Sequence, residues 1–389
     1  MKQYELSYWE WDQYFRAVDV LVIGSGIVGL SAAIQLKEKA PQLAVTVVDR
    51  GTLPLGASTR NAGFACIGSL GELLADLADH SRTAVLDLVA LRYRGLTRLR
   101  TRYGDAALGY QAVGGYELFR AEEQEQYAAC RQALPNFNRD LAERIPQQAD
   151  WPAAATTDIF CPADHALPRF GLAGVDHLLF NRAEGQIDTG RMMRTLLRRA
   201  QALDIPCLNG LTVTELASDL GKVHVATAAG WSFSVGQVIV ATNGFAQTLL
   251  PDLPVQPARN QVLITAPIPD LPLRGTFHYD QGYVYFRNVG DRLLLGGGRN
   301  LAPAAETTSE LGPHPEIRAT LLKLLTQQLL PNQPVHIERW WSGILGVGPQ
   351  KQPLVATVAP GILVAVRLGG MGVAIGTLVG EEAAERLLQ

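Results

Sequence analysis

The sequence predicts an α/β fold with a Rossmann-like dinucleotide-binding domain and a second, β-rich domain. Three observations predict it. The first is Val20-Leu21-Val22-Ile23, four apolar residues that read as a strand buried on both faces, running into Gly24-Ser25-Gly26-Ile27-Val28-Gly29 and then apolar residues at helical spacing to Lys39. In this GxGxxG, Gly24 serves a tight turn, Gly26 lets backbone approach a pyrophosphate, and Gly29 allows close helix-strand packing. The helix amino end then turns its free N–H groups and positive dipole end toward phosphate. The second is an apolar strand from Ala44 to Val48 that ends in Asp49, twenty residues beyond Gly29, where an acidic side chain binds a ribose hydroxyl. The third is a pair of alternating runs far downstream, 282–287 and 292–298, that form a hairpin.

Composition narrows the function classes. The 389 residues suffice for two domains, and 47% hydrophobic with 18% charged residues argues for packed cores. A net charge of -3 gives no electrostatic reason to expect nucleic acid or an anionic membrane surface. Cys66, Cys130, Cys161 and Cys207 are scattered without a CxxC pair or a histidine at metal spacing, so they read as reduced thiols and no metal is expected. No apolar run reaches bilayer length and the amino end lacks the pattern of a signal peptide. The expectation is a cytoplasmic protein.

Before the first strand, residues 1–17 are rich in aromatics: Tyr4, Tyr8, Trp9, Trp11, Tyr14 and Phe15. Packing across the protein's own surface is the first reading of this extension, and a partner-docking arm the second. After Asp49 the chain runs through Arg50 to Gly56-Ala57-Ser58-Thr59-Arg60-Asn61-Ala62-Gly63, dense in small residues and donors suited to phosphate or ring heteroatoms.

With these motifs on one chain, its amino half resembles the D-amino-acid oxidase family of FAD-dependent oxidoreductases, which includes glycine, sarcosine and γ-glutamylputrescine oxidases. The resemblance implies that Gly24, Ser25, Gly26, Ile27, Val28 and Gly29 hold the pyrophosphate of FAD. It places Asp49, with Arg50 beside it, at the adenosine ribose, and Ser58, Thr59, Arg60, Asn61, Ala62 and Gly63 on the path to the flavin ring.

From Ala84 to about Tyr103 a helix is expected, with Arg92, Arg94, Arg98, Arg100 and Arg102 on a solvated face. Residues 111–119 have hairpin character, polar helices follow from Glu122 to about Arg144, and 145–176 carry four prolines without a firm assignment. Asp188 or Thr189 caps a helix that buries Met192, Met193, Leu196, Leu197 and Ala200. Strands are expected near 211–215, 222–226, 231–235 and 237–240, the last ending in Ala241-Thr242-Asn243-Gly244. The resemblance makes this stretch the return to the FAD domain, with Val213 touching adenine through its backbone and Ala241, Thr242, Asn243 and Gly244 close to the cofactor.

A strand from Arg259 to Thr265 opens a second β-rich excursion, and alternation in the hairpin puts Tyr283, Tyr285 and Arg287 on one face. Near the carboxyl end, strand 361–366 leads through Gly369, Gly370, Met371, Gly372 and Val373 into a closing helix. In the family that helix end points at the flavin's pyrimidine edge and stabilises negative charge on the reduced ring. Gly343 and Leu345 join the expected cofactor contacts. The resemblance thus implies a Rossmann-like FAD-binding domain over 18–83, 177–250 and 340–389. A discontinuous α+β substrate domain, on a mixed or antiparallel sheet, takes 84–176 and 251–339.

The chemistry so implied is oxidation of a C–N bond of an amine or amino-acid derivative by hydride transfer to flavin N5, with molecular oxygen as acceptor. Tyr279 and Tyr283 match the spacing of two active-site tyrosines in D-amino-acid oxidases. The arginine that those oxidases place before the final strand is missing from Gly343-Ile344-Leu345-Gly346, which leaves two readings: Arg287 replaces it and binds a carboxylate with Tyr283, or the substrate is an amine whose carboxylate is distant or lacking, with an amine or amino-acid-derived secondary amine favoured. The sarcosine-oxidase carboxylate ligands fall at Gly63 and Ala374, and its oxygen-activating lysine near Leu294. No cysteine occurs in Gly348-Pro349-Gln350-Lys351 to tether flavin, so the FAD is expected to be noncovalent. Two other readings stay open: a dehydrogenase passing electrons to a quinone or partner protein, and a flavin-bearing interaction module without turnover.

Overall fold

The structure is a computed structural model that describes residues 4–146, 148, 149, 151, 152, 158–331 and 333–389. The first strand, Val20–Ile23, has all four side chains buried. Val20 and Val22 face one apolar core while Leu21 and Ile23 face another. A strand covered on both sides has no polar face, which is why this run shows no alternation. Fully burying such side chains contributes roughly 1.5–3 kcal/mol apiece.

Around it lies a six-stranded sheet in the order Leu354–Ala359, Ile362–Val366, Gln237–Val240, Val20–Ile23, Val45–Asp49 and Cys207–Asn209. Only the first of these strands runs antiparallel. Helices Ile27–Lys39, Thr189–Gln201 and Gly372–Leu388 share one core with a face of this sheet. The antiparallel strands Val213–Asp219, Lys222–Thr227 and Ser232–Val235 share a core with the opposite face. Asp188 caps the second of these helices by accepting the Arg191 N–H at 2.9 Å, and Met192 and Met193 are core residues, as the spacing predicted.

The second sheet has eight strands, in the order Ile337–Val347, Gln256–Thr265, Arg292–Gly297, Val284–Val289, Thr276–Tyr279, Gly115–Phe119, His177–Asn181 and Phe160–Pro162. One pair, Thr276–Tyr279 with Gly115–Phe119, is parallel and the rest are antiparallel. The predicted hairpin forms with a tighter connection than expected, since Val289 pairs with Arg292 and leaves only Gly290 and Asp291 between. The α/β class with a mixed second sheet is therefore observed.

Several elements differ from their sequence expectations. Residues 111–119 make no hairpin: Gly115–Phe119 pairs with two strands remote in sequence, and Gln111 forms only an isolated bridge to Gln186. His177–Asn181 lies in the eight-stranded sheet, on the other side of the boundary expected at 177. Ile337–Val347 likewise straddles the boundary expected at 340. Helix Arg82–Tyr103, assigned to the substrate domain, packs Leu96 and Leu99 into the core of the parallel sheet.

Its arginines form a solvated face only in part, since Arg94 and Arg98 are exposed while the others are partly or fully covered. Arg92 is buried against Glu72, while Arg98 and Arg102 reach Glu381 and Arg100 reaches Asp105. Sequence shows the charges but not the acids on other elements that meet them. Part of the expected 145–176 stretch, 147, 150 and 153–157, lies outside the described residues.

The aromatic extension divides. Phe15 is buried against Phe233 at 4.8 Å between ring centroids, and Tyr4 packs edge-on against Trp231 at 5.3 Å. Helix Tyr8–Tyr14 is closed at its start by a Ser7–Glu10 capping box, yet Trp9 stays 76% exposed. Among the described residues, no helix is long and apolar enough to cross a membrane.

Candidate functional site

Two adjoining cavities open where the first sheet meets the second. The first encloses roughly 1190 Å³, mouth included, along the glycine turn and the carboxyl ends of the parallel strands. Of the expected cofactor residues, Gly24, Gly26, Ile27, Val28, Asp49, Arg50, Ser58, Asn61, Val213, Ala241, Thr242, Asn243, Leu345, Gly370, Gly372 and Val373 line it. Gly24 takes φ +106° and a Cβ there would stand 2.8 Å from the Ala241 oxygen. At Gly26 a Cβ would stand 2.8 Å from Ser58 Oγ, so the cradle is open because these side chains are missing.

Helix Ile27–Lys39 begins at Gly26 without a side-chain cap from that residue, and the Ile27 N–H is donated to Ser58 Oγ at 3.0 Å. The Thr242 hydroxyl, on the same wall, is buried with no partner among the described residues, as suits a group bound there. Arg50 stacks its guanidinium 4.0 Å above the Phe245 ring at the cavity's edge. Asp49 does double duty: Oδ2 accepts the Ser25 N–H and hydroxyl, each at 2.9 Å, and Oδ1 accepts the Gly51 N–H. A helix end whose N-cap residue has no side chain, a glycine cradle, an orphaned hydroxyl and a carboxylate beside them fit the diphosphate and ribose of FAD.

The second cavity encloses roughly 1690 Å³ with its mouth, and shares Ala57, Asn61, Leu345, Gly370 and Val373 with the first. Arg60, Ala62, Gly343, Gly369 and Met371 line it too, together with Tyr283. The carboxyl-terminal helix begins at this junction, and Met371 gives it no side-chain cap. Its amino end therefore presents a positive dipole where the two cavities join.

Five expected cofactor residues line neither cavity. Ser25 is buried behind the turn, spending both donors on Asp49. Gly29 packs against the Gly24 carbonyl, and Gly244 against the Leu345 carbonyl; at both, a Cβ would overlap that oxygen. Thr59 turns its hydroxyl to the Pro54 carbonyl at 2.6 Å. Gly63, at φ +73°, leaves room for a guanidinium instead of a cofactor.

Two of the three expected catalytic residues are also elsewhere. Tyr279 packs under the Arg120 guanidinium, 4.9 Å from its ring centroid, and burial with Glu123 nearby pushes its phenol up. Arg287 is buried and spends its donors on the carbonyls of Ala62, Ile187 and Asn288 and on Gln186 Oε1. Burial pulls its guanidinium down to about 10, against a partial offset from Asp188. The Arg287 side chain faces the backbone of 62–63 and 187, with four of its five N–H groups so used, and it does not line the second cavity, so it is not placed to hold a substrate carboxylate.

The second cavity contains Tyr285, on the face that alternation indicates, and residues that the sequence does not single out for the site: Phe64, Glu72, His278, Arg299 and Lys351. Arg299 lies over the Tyr283 ring at 5.1 Å and makes no ion pair among the described residues. Lys351, by contrast, pairs with Glu72 and Asp76. Burial acts against the Glu72 charge, but Arg92 and Lys351 outweigh it and hold the carboxyl below its usual range. Cys66 sits with Sγ 3.3 Å from Met371 Sδ, and burial raises its thiol well above the ordinary value. The period of two in strand Thr276–Tyr279 was the available signal for His278, because it puts residues 278 and 279 on opposite faces.

Comparison with known proteins agrees with this geometry. The family model described as FAD dependent oxidoreductase (DAO) matches residues 19–386. The bifunctional protein ThiO/ThiG of Synechocystis sp. is 27% identical over 343 residues, 87% of this chain and 46% of that protein, so the chain spans about half of that relative's length. A D-amino acid dehydrogenase of Rhizobium johnstonii is 24% identical over 402 residues, 91% of this chain and 92% of that one. The crystal structure of glycine oxidase from Geobacillus kaustophilus superposes with a TM-score of 0.74 at 21% identity, covering 95% of each chain, which shows a shared fold. A family match over nearly the whole length thus meets a cradle built for a flavin dinucleotide, and the chain belongs to the DAO family of FAD-dependent oxidoreductases.

Proposed function

We propose that this chain oxidises a C–N bond of an amine or amino-acid derivative whose carboxylate is held by Arg299 beside Tyr283. The observation that carries this reading is the Arg299 guanidinium, without an ion pair among the described residues, in a cavity that shares its wall with the FAD cradle. Guanidinium and phenol together offer a charge and donors for a carboxylate, the set left missing at Gly343–Gly346. Phe64 and Tyr285 give the apolar side, their rings meeting edge-on at 5.5 Å. Two similar proteins, named glycine oxidase and D-amino acid dehydrogenase, take amino acids by name, which supports the same substrate class. FAD, when bound, accepts the two electrons and the hydrogen taken from the C–H bond. The chain's own residues hold the substrate, exclude water and remove charge from its nitrogen.

The test is anaerobic bleaching of FAD-loaded protein by glycine, N-methylglycine, D-alanine, D-proline and putrescine. Bleaching by none of these sets the reading aside. In Arg299→Ala, the apparent KM for the carboxylated probes is expected to rise about 10- to 100-fold, the equivalent of losing one charge-assisted hydrogen-bonded contact, with putrescine little changed. Equal effects on both classes remove Arg299 from the carboxylate site.

Molecular oxygen is the proposed acceptor. The similarity to a D-amino acid dehydrogenase favours a second reading, electron transfer to a quinone or partner protein. Mixing reduced protein with air-saturated buffer separates them, since only an oxidase reoxidises fast. Four cysteines without a disulfide among the described residues support a reducing, cytoplasmic setting.

A further inference from the structure

Strand Thr276–Tyr279 carries one polar side chain into the second cavity that neither the FAD cradle nor the carboxylate site uses. His278 lies there with Tyr285 opposite it in the antiparallel pair, and Phe64 packs edge-on against its ring at 5.3 Å. Its Nε2 stands 2.8 Å from Oε2 of Glu184, a carboxylate with no side-chain exposure. The other oxygen of Glu184 accepts the N–H groups of Ile67 and Gly68, both at 3.0 Å. With both oxygens accepting, Nε2 is the ring nitrogen that carries the proton. Nδ1 keeps a lone pair and has no hydrogen-bond partner among the described residues. Space for the carboxylate is built in, because a side chain at Gly115 would overlap Glu184 Oε2.

We infer that His278 is a catalytic base that takes the ammonium proton of the bound amine on Nδ1, with Glu184 as its positioning residue. This rests on the amine-oxidation reading, since a protonated nitrogen has no lone pair with which to assist loss of hydrogen from the adjacent carbon. In the step an N–H bond of the substrate breaks and an Nδ1–H bond forms. The electron pair stays on the substrate nitrogen, and nothing is oxidised or reduced. The imidazolium, its other N–H still on Glu184, gives the proton to water after the product leaves.

Three carboxyl groups face the imidazole from different elements: Glu184, Glu117 on strand Gly115–Phe119 and Glu72 on helix Leu70–Asp76. Arg92 and Lys351 are spent on Glu72, and Cys66 and Tyr285 are kept neutral by burial. Burial acts to lower the imidazole's affinity for a proton, but the carboxylates, Glu184 foremost, outweigh it and raise the group above its ordinary 6.5. A base works in its neutral form, so the rate of flavin reduction rises with pH and has its midpoint above 6.5.

The experiment measures flavin reduction against pH in the FAD-loaded chain with whichever of the five probes bleaches it fastest. His278→Asn is expected to slow reduction about a hundredfold at neutral pH and to remove that midpoint. Glu184→Gln, of the same shape, is expected to move the midpoint to lower pH, and it carries the test if His278→Asn fails to hold FAD. Glu117, pushed up to about 7 by burial, is present in both variants, so a midpoint that survives His278→Asn belongs to Glu117 and overturns the inference. Imidazole nitrogen NMR of the FAD-free chain adds a readout without turnover: the Nε2–H tautomer is expected, and an Nδ1–H tautomer overturns the assignment. If no probe bleaches the wild type, the amine reading fails and this inference with it; if the wild type is bleached and His278→Asn matches it, His278 alone is set aside.

Discussion

Gly29→Ala is expected to yield a chain that no longer retains FAD. The Cβ of alanine would be driven into the carbonyl oxygen of Gly24, and the obstacle is backbone of the very turn that shapes the cradle. That turn cannot yield freely, since the Gly24 N–H is bonded to the Val48 carbonyl at 2.8 Å and Gly24 is itself packed on Ala241. The helix must therefore withdraw from the strand, carrying its amino end away from the diphosphate. Overpacking of a tight interior costs about 1–3 kcal/mol, and a clash with backbone belongs at the upper end. If all of it falls on the bound state, affinity for FAD drops about a hundredfold. Titration of the apo-protein with FAD, followed by visible absorbance, measures this. Gly312→Ala is the control: it lines neither cavity and the nearest atom to a Cβ there is Arg259 Nη1 at 3.8 Å, an ordinary contact, so affinity and melting temperature are expected to stay near wild type. Wild-type affinity in Gly29→Ala refutes the packing role.

The cradle was legible in sequence because its parts are local. Strand, turn, helix and second strand occupy one run of thirty residues, 20–49, and each has a periodicity or a glycine that only one conformation satisfies. The substrate side was less legible because its residues are assembled from far apart. His278 gains meaning only beside Glu184, 94 positions away, and Arg92 only beside Glu72. Tyr279 was singled out by family spacing, yet strand alternation turns its neighbour toward the cavity. The face shared by Tyr283, Tyr285 and Arg287 is read correctly by alternation in part: both tyrosines line the cavity, but the guanidinium, one step further along, meets the loop 62–63 before it meets open space. Alternation gives the side of a sheet and says nothing of what else covers it.

Arg287→Ala is therefore expected to damage the framework of the site, and not the recognition of one substrate class. The guanidinium ties strand Val284–Val289 to two other segments, donating to the Ala62 carbonyl, to Ile187 O at 3.0 Å and to Gln186 Oε1 at 3.3 Å. Its removal leaves buried acceptors without donors, at roughly 1–3 kcal/mol each, while relief of a desolvated charge returns part of that. A net loss of about 2–4 kcal/mol of stability follows. The sign with pH is checkable: folding depresses this group to about 10 from 12.5, so it is charged in both folded and unfolded chains below about pH 10, and the wild-type–variant difference is flat there. Between about 10 and 12.5 the folded wild type releases its proton first and gains stability relative to the variant. Kinetics supply the second half of the test. Loss of the 62–63 and 187 anchors loosens the loop that carries Asn61, on the wall of both cavities, and Ala62, on the wall of the second, so flavin reduction by N-methylglycine and by putrescine is expected to fall together. A rise in KM confined to carboxylated probes, with the melting temperature unchanged, makes Arg287 the substrate ligand and displaces Arg299 from that role.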